Sequence, residues 1–273
     1  MPAARQLDPS ASPSAFFGAE LRHYRTKAGL SQEQLAAKVN YSAALVGSVE
    51  TADRRPQLDL ARRCDDALGT DGALIRLMVM VRRESLPPPF RPWLEVEQEA
   101  RILRSWELAV VPGLLQTETY ARELLRSQPG ATEERVEELV ATRLERQAIL
   151  SRDEPPLMWF VVDEGVLNRP VGGAEVMRDQ LLALLEVSRH THVAVQVLPS
   201  SAGAHPGVDG AFVIASFDGS PDVVYLGAVR EGQLNDRPED VTAITNIYDA
   251  IRAEALPARA SLDLITKVME QWT

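Results

Sequence analysis

The stretch 31–51, SQEQLAAKVNYSAALVGSVET, leaves the chain the fewest choices. Ser31 is a good N-cap, and Gln34 three residues later completes a capping-box pattern, so a helix starts here. Leu35, Ala36 and Val39 give that helix an apolar stripe. Asn40 stands where it must stop, and asparagine tolerates the left-handed backbone of a sharp turn. Tyr41 follows, and Ser42 is a second N-cap opening a helix over Ala43–Glu50, with Val46 and Val49 on one face. Upstream, Leu21, Tyr24 and Ala28 form a stripe on a helix over 15–28 that stops at Gly29. Downstream, Arg54, Arg55 and Pro56 lead into a helix over 58–68, with Gly69 as its C-cap.

Apolar residues at 35, 39, 41, 46 and 49, with small Ala36 where the two helices approach, make a helix-turn-helix pattern, whose second helix is laid into the DNA major groove. The other reading is an αα-hairpin in a bundle. Residues 15–69 resemble the Xre family of Cro/λ-repressor-type DNA-binding domains. The resemblance is carried by Leu21, Arg25, Gly29, Leu30, Ser31, Gln32, Leu35, Ala36, Ser42, Val46, Val49, Glu50, Arg54 and Pro56. The chain departs from that family with Asn40 at the usual glycine. It also has Ala43, Ala44 and Leu45 where polar side chains often open the recognition helix.

The recognition helix presents Ser42, Ala43, Ala44, Gly47 and Ser48. An alanine methyl can touch thymine, and serine can bond base edges or phosphates. Gln32, at the N-terminus of the first motif helix, is placed to meet a phosphate. Lys38, Arg54 and Arg55 are candidate backbone contacts, the plainer alternative being solvated surface charges. Arg25 and Glu50 read as an internal ion pair tying the first helix to the recognition helix. Two alanines and two serines offer few strong base contacts, which points to a homodimer on a pseudo-palindromic double-stranded operator.

A net charge of −10 conflicts with DNA binding until it is divided: residues 14–63 hold eight basic against five acidic side chains. A slightly basic head on an acidic body keeps non-specific binding weak. The 273 residues suffice for two domains. The single cysteine, Cys64, excludes an intramolecular disulfide and suits a reducing cytoplasm; Leu60, Ala61 and Leu68 around it suggest a core position. No apolar run reaches the length of a membrane span, and the start, MPAARQLDPSASPSAFF, lacks a secretory pattern. Residues 1–14 read as a disordered arm.

The proline-rich run 86–92 marks a boundary. The expected organisation is a mainly α head of five helices over 15–85, the fifth at 71–81. An α+β domain with a mostly antiparallel sheet follows over 86–273. In that domain helices are expected at 93–103, after Thr117, and at 132–150, 176–189, 240–254 and 261–271. Strands are expected at 105–111, 157–162, 193–198, 210–217 and 223–226, without a clean βαβ repeat.

A second resemblance covers 90–268. Pro112-Gly113-Leu114-Leu115-Gln116-Thr117 with Tyr120-Ala121-Arg122 is similar to the signature of the C-terminal domain of an actinobacterial group of Xre-type regulators. Asp163-Glu164, Arg169-Pro170-Val171-Gly172-Gly173, Gln180-Leu181, Val197-Leu198-Pro199 and Gly203-Ala204-His205 add to it. The resemblance implies a regulator of development or antibiotic production, classed as antitoxin-like, with a small partner protein encoded by a neighbouring gene. Pro112, Gly113, Leu114, Leu115, Gln116, Thr117, Tyr120 and His205 are then the candidate partner- or ligand-binding residues.

Other features weigh less. The Gly-rich segment 199–209 can cover a ligand, receive a partner or simply connect strands. His190, His192 and His205 lack a carboxylate or cysteine at ligand spacing, so no metal is expected. Asp163-Glu164 are acid–base candidates or the first residues of a helix. No nucleophile elbow, HExxH, P-loop or dinucleotide fingerprint occurs, which argues against an enzyme and against a cofactor. The sequence thus reads as a cytoplasmic, sequence-specific DNA-binding regulator whose C-terminal domain binds a small protein or effector. The alternative is an antitoxin-like interaction protein whose DNA binding serves autoregulation.

Overall fold

Capping chemistry delimits the helices of the N-terminal unit in the computed structural model, which describes residues 7–85, 91–227 and 232–272. Helix α1 (Pro13–Lys27) starts from Ser12, whose hydroxyl accepts from the Ala15 N–H. It therefore begins inside the stretch read as an arm, of which residues 1–6 lie outside the described residues. Helix α2 (Gln32–Val39) carries the expected capping box, with reciprocal bonds between Ser31 and Gln34. Asn40 ends it in the left-handed region, at φ 59° and ψ 47°. Helix α3 (Ala43–Glu50) is capped by Ser42, and α4 (Leu58–Leu68) ends on left-handed Gly69.

The N-terminus of α5 (Ala73–Ser85) is closed by a residue of the preceding helix. The buried Asp65 carboxylate accepts the Leu74 and Ile75 N–H groups at 2.9 Å each, and also the Thr70 hydroxyl. Phe17, Leu21, Leu35, Val39, Val46, Val49, Leu60, Cys64, Leu74 and Met78 share one core. Burial pushes the Cys64 thiol up to about 12, so it sits there as an inert apolar group. Helices α1 and α3 approach closely at Gly18 on α1, where an added Cβ would lie 2.5 Å from the Val49 carbonyl oxygen.

The second unit spans Pro87–Thr273. Its helices are α6 (Arg91–Glu99), α7 (Glu118–Arg126), α8 (Glu133–Arg146), α9 (Glu164–Asn168), α10 (Ala174–Val187), α11 (Pro238–Glu254) and α12 (Ala258–Met269). Its strands are β1 (Ile102–Glu107), β2 (Leu157–Asp163), β3 (Val193–Leu198), β4 (Phe212–Ser216), β5 (Val223–Leu226) and β6 (Gln233–Asn235). They form a six-stranded sheet ordered β3-β2-β1-β4-β5-β6. The sheet is mixed and mostly antiparallel: β1–β2 and β2–β3 run parallel, while β1–β4, β4–β5 and β5–β6 run antiparallel.

The helix-to-strand change comes earlier than the sequence suggests. The helix expected to Leu103 ends at Glu99, and the strand expected at 105–111 is β1. The ladder has already captured the backbone at Arg101, whose N–H donates to Ser216 O and whose carbonyl accepts from the Leu157 N–H. The short β6 was not expected. On one sheet face Leu103, Met158, Phe160, Val162, Val195 and Val197 meet Trp93 of α6, Tyr120 of α7, Leu181 of α10 and Ile265 of α12. On the other, Trp106, Val161, Ile214 and Val224 meet Tyr248 and Ile251 of α11. Among the described residues, no helix is long and apolar enough to cross a membrane.

The close approach at Gly18 gives a direct test. Gly18→Ala forces α1 away from α3 and should cost about 1–3 kcal/mol, read as an earlier urea transition of the helical circular-dichroism signal. An unchanged transition would mean that the helices have room to spare.

Candidate functional site

In the N-terminal unit the polar network centres on Glu50, whose side chain has no solvent exposure. Arg25 grips it with both prongs, Nε to Oε1 at 2.5 Å and Nη2 to Oε2 at 2.8 Å, and also donates to the Leu30 carbonyl. The hydrogen bond to Glu50 holds Arg25 above the ordinary guanidinium range, against the cost of burial. Arg22 adds a second cation at 3.5 Å and donates to the Glu50 carbonyl. The expected Arg25–Glu50 pair is therefore present and is part of a larger cluster.

Gln32 borders the open front beside Ala43, Ala44 and Ser48, and it has an internal partner that the sequence did not suggest. Its side-chain nitrogen donates to Glu50 Oε2 at 2.9 Å, and its amide lies against Gly47. The bond to Glu50 fastens α2 to α3. Ser42 and Ala44 are exposed, and Ala43 and Ser48 are half-buried. Ser42 spends its oxygen on the cap, and the Ser48 hydroxyl donates to Leu45 O. Lys38 and Arg54 are exposed and Arg55 is half-buried. Glu33 and Asp53 border the same concave front as Ala43, Ala44 and Ser48, so the rim carries acidic groups as well.

The second unit holds a cavity of about 380 Å³ at the C-terminal end of β1. Period-two alternation puts Leu103, Ser105 and Glu107 on its floor, while Trp106 faces the opposite core. Helix α8 contributes Arg143 and Arg146, and α6 contributes Trp93 and Glu97. Phe160, Phe212, Val213 and Tyr225 come from the neighbouring strands, and Val111, Pro112, Gly113, Leu114 and Gln116 from the connection after β1.

Arg146 donates to Glu97 through Nε at 2.9 Å and Nη2 at 2.7 Å, and Trp93 Nε1 donates to the same carboxylate. Burial alone would lower Arg146, and that ion pair holds it above the ordinary range. Arg143 donates to Gln116 Oε1. Burial, with Arg146 beside it, brings Arg143 down to about 10. Burial pushes the Glu107 carboxyl up to about 8, against the pull of Arg143 and Arg146.

The family described as Domain of unknown function (DUF5753) matches residues 90–267. The chain belongs to this family. A family described as Helix-turn-helix domain matches residues 17–78. A search of curated proteins and a search of solved structures found no match. The chain therefore carries an N-terminal helix-turn-helix domain and a large C-terminal DUF5753 domain.

Within the DUF5753 domain the PGLLQT segment is mostly interior. Pro112, Leu114, Leu115 and Gln116 are buried, and Gly113 and Thr117 are half-buried. Thr117 caps α7, and Gln180 of α10 bonds both the Thr117 N–H and the Leu115 carbonyl. The Tyr120 hydroxyl accepts from the Val111 N–H. The segment thus latches β1 to α10, with Pro112, Gly113, Leu114 and Gln116 lining the cavity.

His205 is elsewhere. Its ring stands edge-on to Trp106 at 5.3 Å and its Nδ1 accepts from the Gly207 N–H, so it serves the α11 face and the turn Pro206–Asp209. Asp163 caps α9, and Glu164 accepts the Ser200 N–H, which matches the helix-start reading of that pair. His192 Nε2 lies 3.0 Å from Leu150 O. Among the described residues no group of three His, Cys, Asp or Glu side chains is arranged to hold a metal ion.

Sequence reading missed Trp93, Ser105, Glu107, Arg143, Arg146 and Tyr225. The available signal was the alternation of Leu103, Ser105 and Glu107, which sets two polar groups on the inward face of a strand.

The Glu50 cluster predicts its own mutational pattern. Glu50→Ala strands Arg25 and should cost about 3–5 kcal/mol, whereas replacing the pair together, Arg25→Met with Glu50→Leu, should cost far less. Urea unfolding of the three proteins checks this; equal losses would mean that the ion pair is not the unit that matters.

Proposed function

We propose that the chain is a sequence-specific DNA-binding transcriptional regulator of the Xre type, acting in the cytoplasm as a homodimer on a pseudo-palindromic operator. The observation that carries this reading is α3, which is anchored from behind by Glu50 while Ser42, Ala43, Ala44 and Ser48 stand on its outward side. Exposed Lys38 and Arg54, with Arg55, are suited to phosphate contacts that set register. Gln32 supports the docking indirectly, as a positioning residue of α3.

One such helix discriminates weakly, because a good bidentate base contact is worth about 1–3 kcal/mol and this helix has few groups able to make one. Two heads separated by about one helical turn add their preferences. The DUF5753 domain then takes a small protein partner or an effector. The alternative, supported by the resemblance of its signature, is an antitoxin-like protein whose main task is to hold a small partner encoded nearby. The interior placement of most of PGLLQT favours an effector at that segment over a protein docked directly upon it.

Arg54→Ala combined with Arg55→Ala should weaken binding to all sequences alike. It should also flatten the plot of log affinity against log salt by about 0.9 for each phosphate no longer neutralised. Fluorescence anisotropy over a salt series measures this, and an unchanged slope would refute the docking. Footprinting at saturating protein should protect two half-sites; protection of one would refute the dimer. Purification from native cells separates the readings further, since the antitoxin-like alternative requires a small protein in stoichiometric amount.

A further inference from the structure

We propose that the cavity of the DUF5753 domain binds a small organic carboxylate with an apolar body, its carboxylate received by Arg143, Ser105 and Glu107. The inference concerns this domain alone and stands whether or not the head binds DNA. A volume of about 380 Å³ lies in the range of small-ligand sites, roughly 300–1,000 Å³. Its walls are largely apolar, with Trp93, Leu103, Val111, Leu114, Phe160 and Val213 among them.

The polar groups argue for a ligand. The Ser105 hydroxyl is buried, its residue 3% exposed, and has no hydrogen-bond partner among the described residues. Interior polar groups are almost always partnered, and an orphan on a cavity floor calls for a missing partner. The Glu107 carboxyl, on the same face of β1, makes no hydrogen bond to the described residues.

Charge decides the class. Glu97 answers Arg146 with two hydrogen bonds. Among the described residues the Arg143 guanidinium donates to the neutral oxygen of Gln116, and the acidic group that acts on it is Glu107. Glu107, at about 8, is mostly protonated at neutral pH. With Glu107 as the neutral acid, the cavity lining brings together a guanidinium that has no carboxylate hydrogen-bonded to it and two hydroxyl donors, the complement of a carboxylate. An amine would have to sit beside Arg143 and Arg146.

The pH dependence has a definite sign. The groups around Glu107 are Arg143 and Arg146 of α8, Glu97 of α6, Tyr120 of α7 and Tyr225 of β5. Below about 8 the Glu107 acid donates to the ligand; above it, the ionised carboxylate repels the ligand. Affinity should therefore fall as pH rises through about 8.

The test is calorimetric titration of the full-length protein, without DNA, using phenylacetate, indole-3-acetate and hexanoate. Each is set against the amine and the alcohol with the same apolar body. At least one carboxylate should bind saturably, with its amine and alcohol about ten-fold weaker or more. Arg143→Gln should weaken that binding by about ten-fold or more. Glu107→Gln, which keeps a donor but cannot ionise, should bind like wild type at pH 7. It should hold that affinity at pH 9, where wild type binds about ten-fold more weakly. If Arg143→Gln does not fold, the Glu107→Gln profile decides. The proposal is overturned if no carboxylate saturates, if the amines bind more tightly, if Arg143→Gln binds normally, or if Glu107→Gln retains the alkaline loss.

Discussion

A carboxylate with no solvent exposure has to be answered by the protein, and Glu50 is answered from two directions. Arg22 and Arg25 reach it from α1, and Gln32 from the first turn of α2. Val46 and Val49 hold α3 against the core through contacts that carry little direction. The bonds to Glu50 are directional, and they fix which side of α3 faces outward. The close seat of α1 at Gly18 completes the arrangement, since Arg25 reaches Glu50 from a helix lying directly against the C-terminal end of α3. The DUF5753 domain repeats the device in another setting: Glu97, almost wholly buried, is bound by Arg146 and Trp93 and ties α8 to α6.

The head was legible because its punctuation is local. Ser31 with Gln34, Asn40, Ser42 and Gly69 each act within four residues of their own position, and each does in the structure what its chemistry suggests. The Arg25–Glu50 pair was legible too. The inward turn of the Gln32 amide was not, because it depends on three helices meeting at one carboxylate. The α+β character and mostly antiparallel sheet of the body also followed from pattern. The Glu99-to-Ile102 boundary was missed because 93–103 satisfies a helical period and a strand alternation about equally well, and only the ladder to Ser216 and Leu157 decides.

The candidate sites were legible to different degrees. Lys38, Ser42, Ala44 and Arg54 are on the surface, as a contact role needs. The PGLLQT segment stood out in the sequence, but its structural duty as a latch to Gln180 involves a helix far along the chain. The cavity groups were invisible for a related reason. Arg143 and Arg146 resemble ordinary charges of an amphipathic helix, and Glu107 an ordinary end of a strand, until the fold sets them around one space. His205 shows the converse: a residue grouped with the signature by resemblance is put by the sheet onto the α11 side, against Trp106.

The position of β1 also governs the order in which this chain can acquire structure. Its two edges are completed by β2 and by β4, and Trp106 pairs with Val161 on one side and with Phe212 on the other. The second pairing joins residues far apart in sequence, so the central strand keeps an open edge until most of the domain has left the ribosome. The head closes sooner: α1 packs on α5, so its core is complete once the chain has reached the end of α5. The head is thus able to fold while the body is still being made, and a chain cut short before β4 would carry a finished head on a sheet whose central strand β1 is left as a bare edge, the kind of edge that recruits other chains.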